Sequence, residues 1–143
     1  MEQGTQESRN LAGRDYVLEQ LRRIDLTATI GMLFRHNMLP AEDYHFERHG
    51  GALGCVSKTE YIERFRLALQ RPCTELYVLR QSALRPNLMW YAIDKPSGEV
   101  IQFSQATMRV HSFYRSASWE RFITSTQAVR VWFDGAIWRI EDE

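Results

Sequence analysis

Little in this sequence commits it to a chemistry. Cys55 and Cys73 are the only cysteines in 143 residues. Two thiols cannot build the disulfide framework of a small secreted domain or a four-ligand zinc site, so both read as reduced and mostly buried. The chain carries no net charge, with 18 basic and 18 acidic side chains. That argues against a nucleic-acid binder working through a broad basic field. No apolar run approaches the ~20 residues needed to cross a bilayer. The opening "MEQGTQESRNLAGRD" is polar and lacks the apolar centre of a secretory signal. Gly50-Gly51 and Gly54 form no known phosphate-cradling loop, and no serine-nucleophile motif is present. The expectation is a cytoplasmic protein with no cofactor, no metal, and neither nucleic acid nor membrane as partner.

What is present is a core and a clear change of texture. At 44% hydrophobic and 12% aromatic, a chain of this length can fill one domain. Residues 1–12 read as a disordered leader and 13–143 as a single domain. Tyr16, Val17, Leu21 and Ile24 recur at helical spacing, and Asp25 is a good cap before "LTATIGMLFRHNM". Two helices, about 13–24 and 26–37, or one bent helix follow from this. Ser57 with Glu60 three residues on has capping-box spacing, Tyr61, Ile62, Phe65 and Leu69 form a stripe, and Pro72 stops that helix. After Pro72 the chain reads as strands: "ELYVLRQ", "NLMWYAID", a "KPSG" turn, "EVIQFSQATMRVHSFYR", a "SASW" turn and a long "ERFITSTQAVRVWF". Asp134-Gly135 between "RVWF" and "AIWRI" predicts a hairpin with a type I′ turn. Val129, Val131 and Phe133 share one face of the last long strand and Ala128, Arg130 and Trp132 the other, which predicts a central position. Helices followed by antiparallel strands make the fold class α+β.

Three of the four histidines, His36, His45 and His49, fall in or beside "PAEDYHFERHGG". Local rules make Pro40–His49 a helix. Pro40 suits its start, Glu42 and Asp43 its first turn, Arg48 and His49 its last turn, and Gly50 its cap. His45 and His49 would then be neighbours able to share a metal, although the zinc-protease motif is absent.

Three stretches carry a family likeness: "DYHFERHGGALGCVSKTEYIERF" (43–65), "FYRSASWERFITSTQAVRVWF" (113–133) and "VRVWFDGAIWRIEDE" (129–143). With them the chain resembles the nuclear transport factor 2-like superfamily, in particular its SnoaL-like branch. The resemblance implies N-terminal helices packed in a strongly curved antiparallel sheet, a cone-shaped α+β barrel with a pocket at its mouth, and a homodimer. It makes 113–133 a penultimate hairpin and 43–48 a short strand. In a strand His45 and His49 would stand about 13 Å apart, too far for one ion. The resemblance tips the expectation to the strand, with polar side chains at a rim.

The expected function is binding of a small apolar organic ligand in a hydrophobic, aromatic-lined pocket. Its expected walls are Trp90, Tyr91, His111, Phe113 and Trp132, with Tyr44 or His45 at the rim. One alternative is a cofactor-free isomerase or dehydratase, for which His111, Asp43 or His45 would be the base. Such a site needs a desolvated base and an oxyanion donor, and no Asp–Tyr or His–Asp pair stands out. A second alternative is a protein-interaction module with a filled core. Asp94 reads as a solvated turn residue. Arg109, Arg115, Arg121 and Arg130 read as a solvated sheet face balanced by Glu99 and Glu120, or as a patch for an acidic ligand.

Overall fold

The computed structural model describes residues 6–35 and 37–141. The fold is α+β. The helical half holds α1 (Gln6–Leu21), α2 (Leu26–Phe34), α3 (Glu42–His49), a 3-10 turn (Gly51–Leu53) and α4 (Lys58–Gln70). The strand half holds β1 (Glu75–Arg80), β2 (Leu88–Asp94), β3 (Glu99–Ser104), β4 (Arg109–Arg115), α5 (Trp119–Thr126), β5 (Val129–Phe133) and β6 (Trp138–Ile140). The two caps behave as the sequence asks. Asp25 accepts from the Ala28 amide and Ser57 from the Glu60 amide. Helix α1 starts at Gln6, inside the stretch read as a leader, and residues 1–5 lie outside the described ones. No helix among the described residues is long and apolar enough to cross a membrane.

The strands form one antiparallel sheet in the order β4-β3-β2-β1-β5-β6, not closed into a barrel. Strand β5 lies between β1 and β6, as its two apolar faces require. Alternation gives the sheet two packed faces. On the first, Leu76, Val78, Trp90, Ile101, Phe103, Phe113, Val129 and Val131 meet Val17, Leu21, Leu33, Tyr61 and Phe65 from α1, α2 and α4. On the second, Tyr77, Met89, Tyr91, Val100 and Ala128 are covered by Phe122 and Ile123 of α5.

Helix α5 corrects the expectation of one long strand over "ERFITSTQAVRVWF". Thr124, Ser125 and Thr126 suggest a strand by propensity. However, Phe122 and Ile123 lie on one side of a helical turn, and an apolar sheet face waits beneath them. The Thr124 and Thr126 hydroxyls donate back to the carbonyls of Glu120 and Phe122. Tertiary burial outweighs intrinsic preference. The penultimate hairpin implied for 113–133 is therefore a strand–helix–strand unit.

Two turns also differ. The run "EVIQFSQATMRVHSFYR" breaks into β3 and β4 at residues 105–108, with Met108 at φ 55°. Asp134-Gly135 does reverse the chain, but not as a two-residue type I′ turn, which needs positive φ at both central residues. Only Gly135 has positive φ there, at 99°. The Asp134 carboxylate instead accepts from the amides of Ala136 and Ile137, building a longer loop.

Candidate functional site

Two concave places bring polar side chains together. The first lies on the helix-bearing face, where β1 begins and the β2–β3 turn closes, under the end of α4. It is a cavity of about 250 Å³. Its floor is Phe34, Ala68, Ala92 and Ile101, and its rim holds Arg71, Glu75, Asp94, Lys95 and Glu99. The floor follows from pattern: Ala68 continues the buried face of Tyr61 and Phe65, and Ile101 is an inward residue of β3.

Glu99 opens β3 and is only 3% exposed, which overturns its expected place on a solvated face. Arg64 and Arg71 stand seven residues apart on α4 and its cap. Two turns place them on one side of the helix, and both reach Glu99. Arg64 Nε donates to Glu99 Oε2 at 2.9 Å, and the Arg71 guanidinium donates to Glu99 Oε1. Arg71 also meets Asp94 Oδ2 at 3.3 Å, so Asp94 is an ion-pair partner as well as a turn residue. Glu75, across the cavity, accepts from the Tyr77 hydroxyl, from Lys95 Nζ at 2.9 Å and from Arg130 at 3.1 Å. Burial pushes the Glu75 pKa up, but these donors outweigh it and hold the carboxyl at about 2. Burial drives the neighbouring Cys73 thiol up to about 11, which keeps it protonated and unreactive. Cys55 is buried, and neither cysteine is in a disulfide.

The second place is a cleft of about 330 Å³ where α3 crosses the edge strand β4. Here residues 42–49 are helical, correcting the strand implied for 43–48. The terminal charges favour the helix, with acids in the first turn, Arg48 and His49 in the last, and the Gly50 amide closing onto Phe46, although Pro40 stays outside it and the Ala41 cap, at φ 46°, makes no side-chain hydrogen bond. His45 and His49 therefore stack, with ring centres 5.9 Å apart and planes 19° off parallel. The sheet supplies a third imidazole. Gln102 pairs with Ser112 but Phe103 pairs with Val110, so His111 is the extra residue of a bulge. The bulge turns His111 outward into the same cleft. His49 Nε2 lies 3.4 Å from Ser112 Oγ, and its ring centre 5.6 Å from that of Tyr114. Arg48 donates to the Tyr44 hydroxyl at 2.6 Å. Burial lowers the His45 pKa, aided by His111 and Arg48. Burial lowers that of His49 too, aided by His45 and Arg48. His45 is 8% exposed, and its Nδ1 is buried with no hydrogen-bond partner.

Of the expected wall and rim residues, Tyr44, His45 and His111 meet in this cleft. The others do not come together. Trp90 and Phe113 are fully buried in the main core, with the Trp90 indole donating to Gln105 at 2.7 Å. Tyr91 lies on the opposite face under Phe122, ring centres 5.0 Å apart. Trp132 sits on β5 beneath the Arg130 guanidinium. Asp43, the third candidate base, is exposed and paired with Lys58 at 2.8 Å. His36 lies outside the described residues. Glu99 and its two arginines were missed, though the seven-residue spacing of Arg64 and Arg71 beside an apolar stripe was a usable signal. Among the described residues no group of three or more His, Cys, Asp or Glu is placed to hold a metal ion.

No family model, curated protein or solved structure matches this chain.

Proposed function

We propose that the protein binds a small, largely apolar organic molecule in the cavity under the end of α4. The observation that carries this reading is an apolar floor beside a buried, doubly clamped carboxylate. Phe34, Ala68, Ala92 and Ile101 would take the body of the ligand, and the rim would orient its polar end. Arg71 is the natural contact, because it already bridges Asp94 and Glu99 and reaches the cavity. At about 250 Å³ the space sits just below the roughly 300–1,000 Å³ usual for ligand sites. The ligand is therefore small. In this reading the sheet curls around the helices as a cone, and the cavity is its mouth.

The pocket does not favour proton-transfer chemistry. Three donors hold the Glu75 pKa at about 2, which makes it a poor base, and both Glu99 carboxylate oxygens are already taken up by guanidiniums. Of the aromatic walls expected from sequence, Trp90, Tyr91 and Phe113 are core residues and Trp132 and His111 lie outside this cavity, so affinity has to come from the apolar floor and the charged rim.

The test is a thermal-shift screen of small amphipathic molecules, followed by the same screen on Ala92→Leu. Ala92 is half-buried at the floor, and the larger side chain fills the cavity without entering the packed core. Binders should raise the melting temperature of the wild type and lose their effect on the variant. If nothing in the screen moves the wild type, or if Ala92→Leu responds equally, the reading fails.

A further inference from the structure

We propose that the cleft between α3 and the β4 bulge is a second site, built to bind a small oxyanion: the carboxylate or phosphate group of a ligand. The lining argues for it. Three imidazoles, one guanidinium, two phenols, a serine and a glutamine surround the cleft, and among the described residues no carboxylate does. In a chain with as many acids as bases, this cleft gathers one fixed cation and seven side chains that can each donate a hydrogen bond.

The acids of α3 are turned elsewhere. Asp43 bonds Lys58 of α4, and the charges of Asp43 and Glu42 together act on that lysine. Glu47 lies about 200° around the helix from His45, given 3.6 residues per turn. From the sheet, β3 contributes the uncharged Gln102, whose amide donates to Tyr91. Strand β4 contributes His111, Ser112 and Tyr114, with Arg109 and Arg115 exposed further along.

Two further observations set the arrangement apart. His45 is more than nine-tenths buried, yet its Nδ1 has no partner. Such a group costs free energy that a satisfied core histidine does not. Burial, aided by the charge of Arg48, lowers the pKa of His45 and His49, and among the described residues the lining holds no carboxylate to offset the Arg48 guanidinium. An anion reverses the balance. It accepts hydrogen bonds from Arg48 and from the imidazoles, and it makes protonation of one of them favourable. Anion binding therefore takes up a proton, and affinity falls as pH rises past the imidazole pKa, by up to about tenfold per pH unit for one linked proton.

The experiment is a titration followed by NMR of the histidine rings, using benzoate and inorganic phosphate as separate probes and sodium chloride as the ionic-strength control. Benzoate keeps its charge between about pH 5.5 and 7.5, so its pH dependence reports on the protein. Saturable shifts of the His45, His49 and His111 rings, with benzoate binding weakening toward high pH, are expected. Response to benzoate alone assigns a carboxylate, and response to phosphate alone a phosphate. Arg48→Gln changes an exposed side chain, so the fold should survive with at most a small drop in melting temperature from the lost Tyr44 contact, while binding weakens at least fivefold. His49→Gln, at a half-buried position, should likewise weaken binding and reduce its pH dependence. The proposal is overturned if neither probe gives shifts beyond the chloride control. Saturable shifts that both variants leave intact would overturn it equally.

Discussion

Glu75 shows how a single carboxylate can be tuned by its neighbours rather than by its depth. Burial alone would raise its pKa. The Tyr77 hydroxyl, Lys95 and Arg130 reverse the sign and hold it at about 2 against an ordinary value of 4.5. A depressed carboxylate stabilises the fold above its unfolded-state pKa and loses that contribution as pH falls through the folded value. The window here is from about 4.5 down to about 2. Glu75→Gln should cost about 1.5–3 kcal/mol at neutral pH, the range for hydrogen bonds to a charged group. The gap between variant and wild type should close toward pH 2 in urea unfolding. Parallel curves across that range would show that Glu75 contributes nothing to acid sensitivity.

At the scale of elements, α5 has little to hold it but the sheet. It is eight residues long, shorter than a helix that persists alone in water. Its Ser118 cap makes no side-chain hydrogen bond, and none of its residues is fully buried. Phe122 on Tyr91 is its main anchor. Phe122→Ala should therefore cost about 1.5–3 kcal/mol, less than a fully buried Phe. It should also raise amide exchange across 119–126 well above that of β2 and β3. Exchange that rises equally everywhere would mean α5 opens only with the whole domain. The same element marks the limit of sequence reading. Helices α2 and α4 were legible because Asp25, Ser57 and Pro72 are local signals. Helix α5 was not, because what selects it is the apolar face made by Tyr77, Met89, Tyr91 and Val100, residues distant in sequence. Helix α3 was legible locally, through its terminal charges, and was obscured by the strand that the family resemblance implied. The candidate sites divide the same way. The histidine window was visible in the chain, whereas the convergence of His111 depends on a bulge that no short stretch reveals.

For the whole molecule, the strand order carries a consequence for time rather than stability. Strands β1 to β4 form a run in which each pairs with its sequence neighbour. Strand β1 also pairs with β5, Val78 standing opposite Val129, so everything from β2 through α5 lies in the loop that this pairing closes. Closing a long loop is costly before its contacts repay it. The meander should therefore assemble early, with β5 and β6 joining late. Ile101→Val and Val129→Ala both trim buried side chains, at about 1 and 2 kcal/mol. In stopped-flow measurements the first should act mainly by slowing folding, and the second mainly by speeding unfolding. The reverse assignment would place the β1–β5 closure in the nucleus. While it waits, β1 presents a bare edge flanked by Leu76 and Val78, open to pairing with another chain. The hazard in this protein's life is thus brief and belongs to its synthesis, between the completion of β4 and the arrival of the closing hairpin.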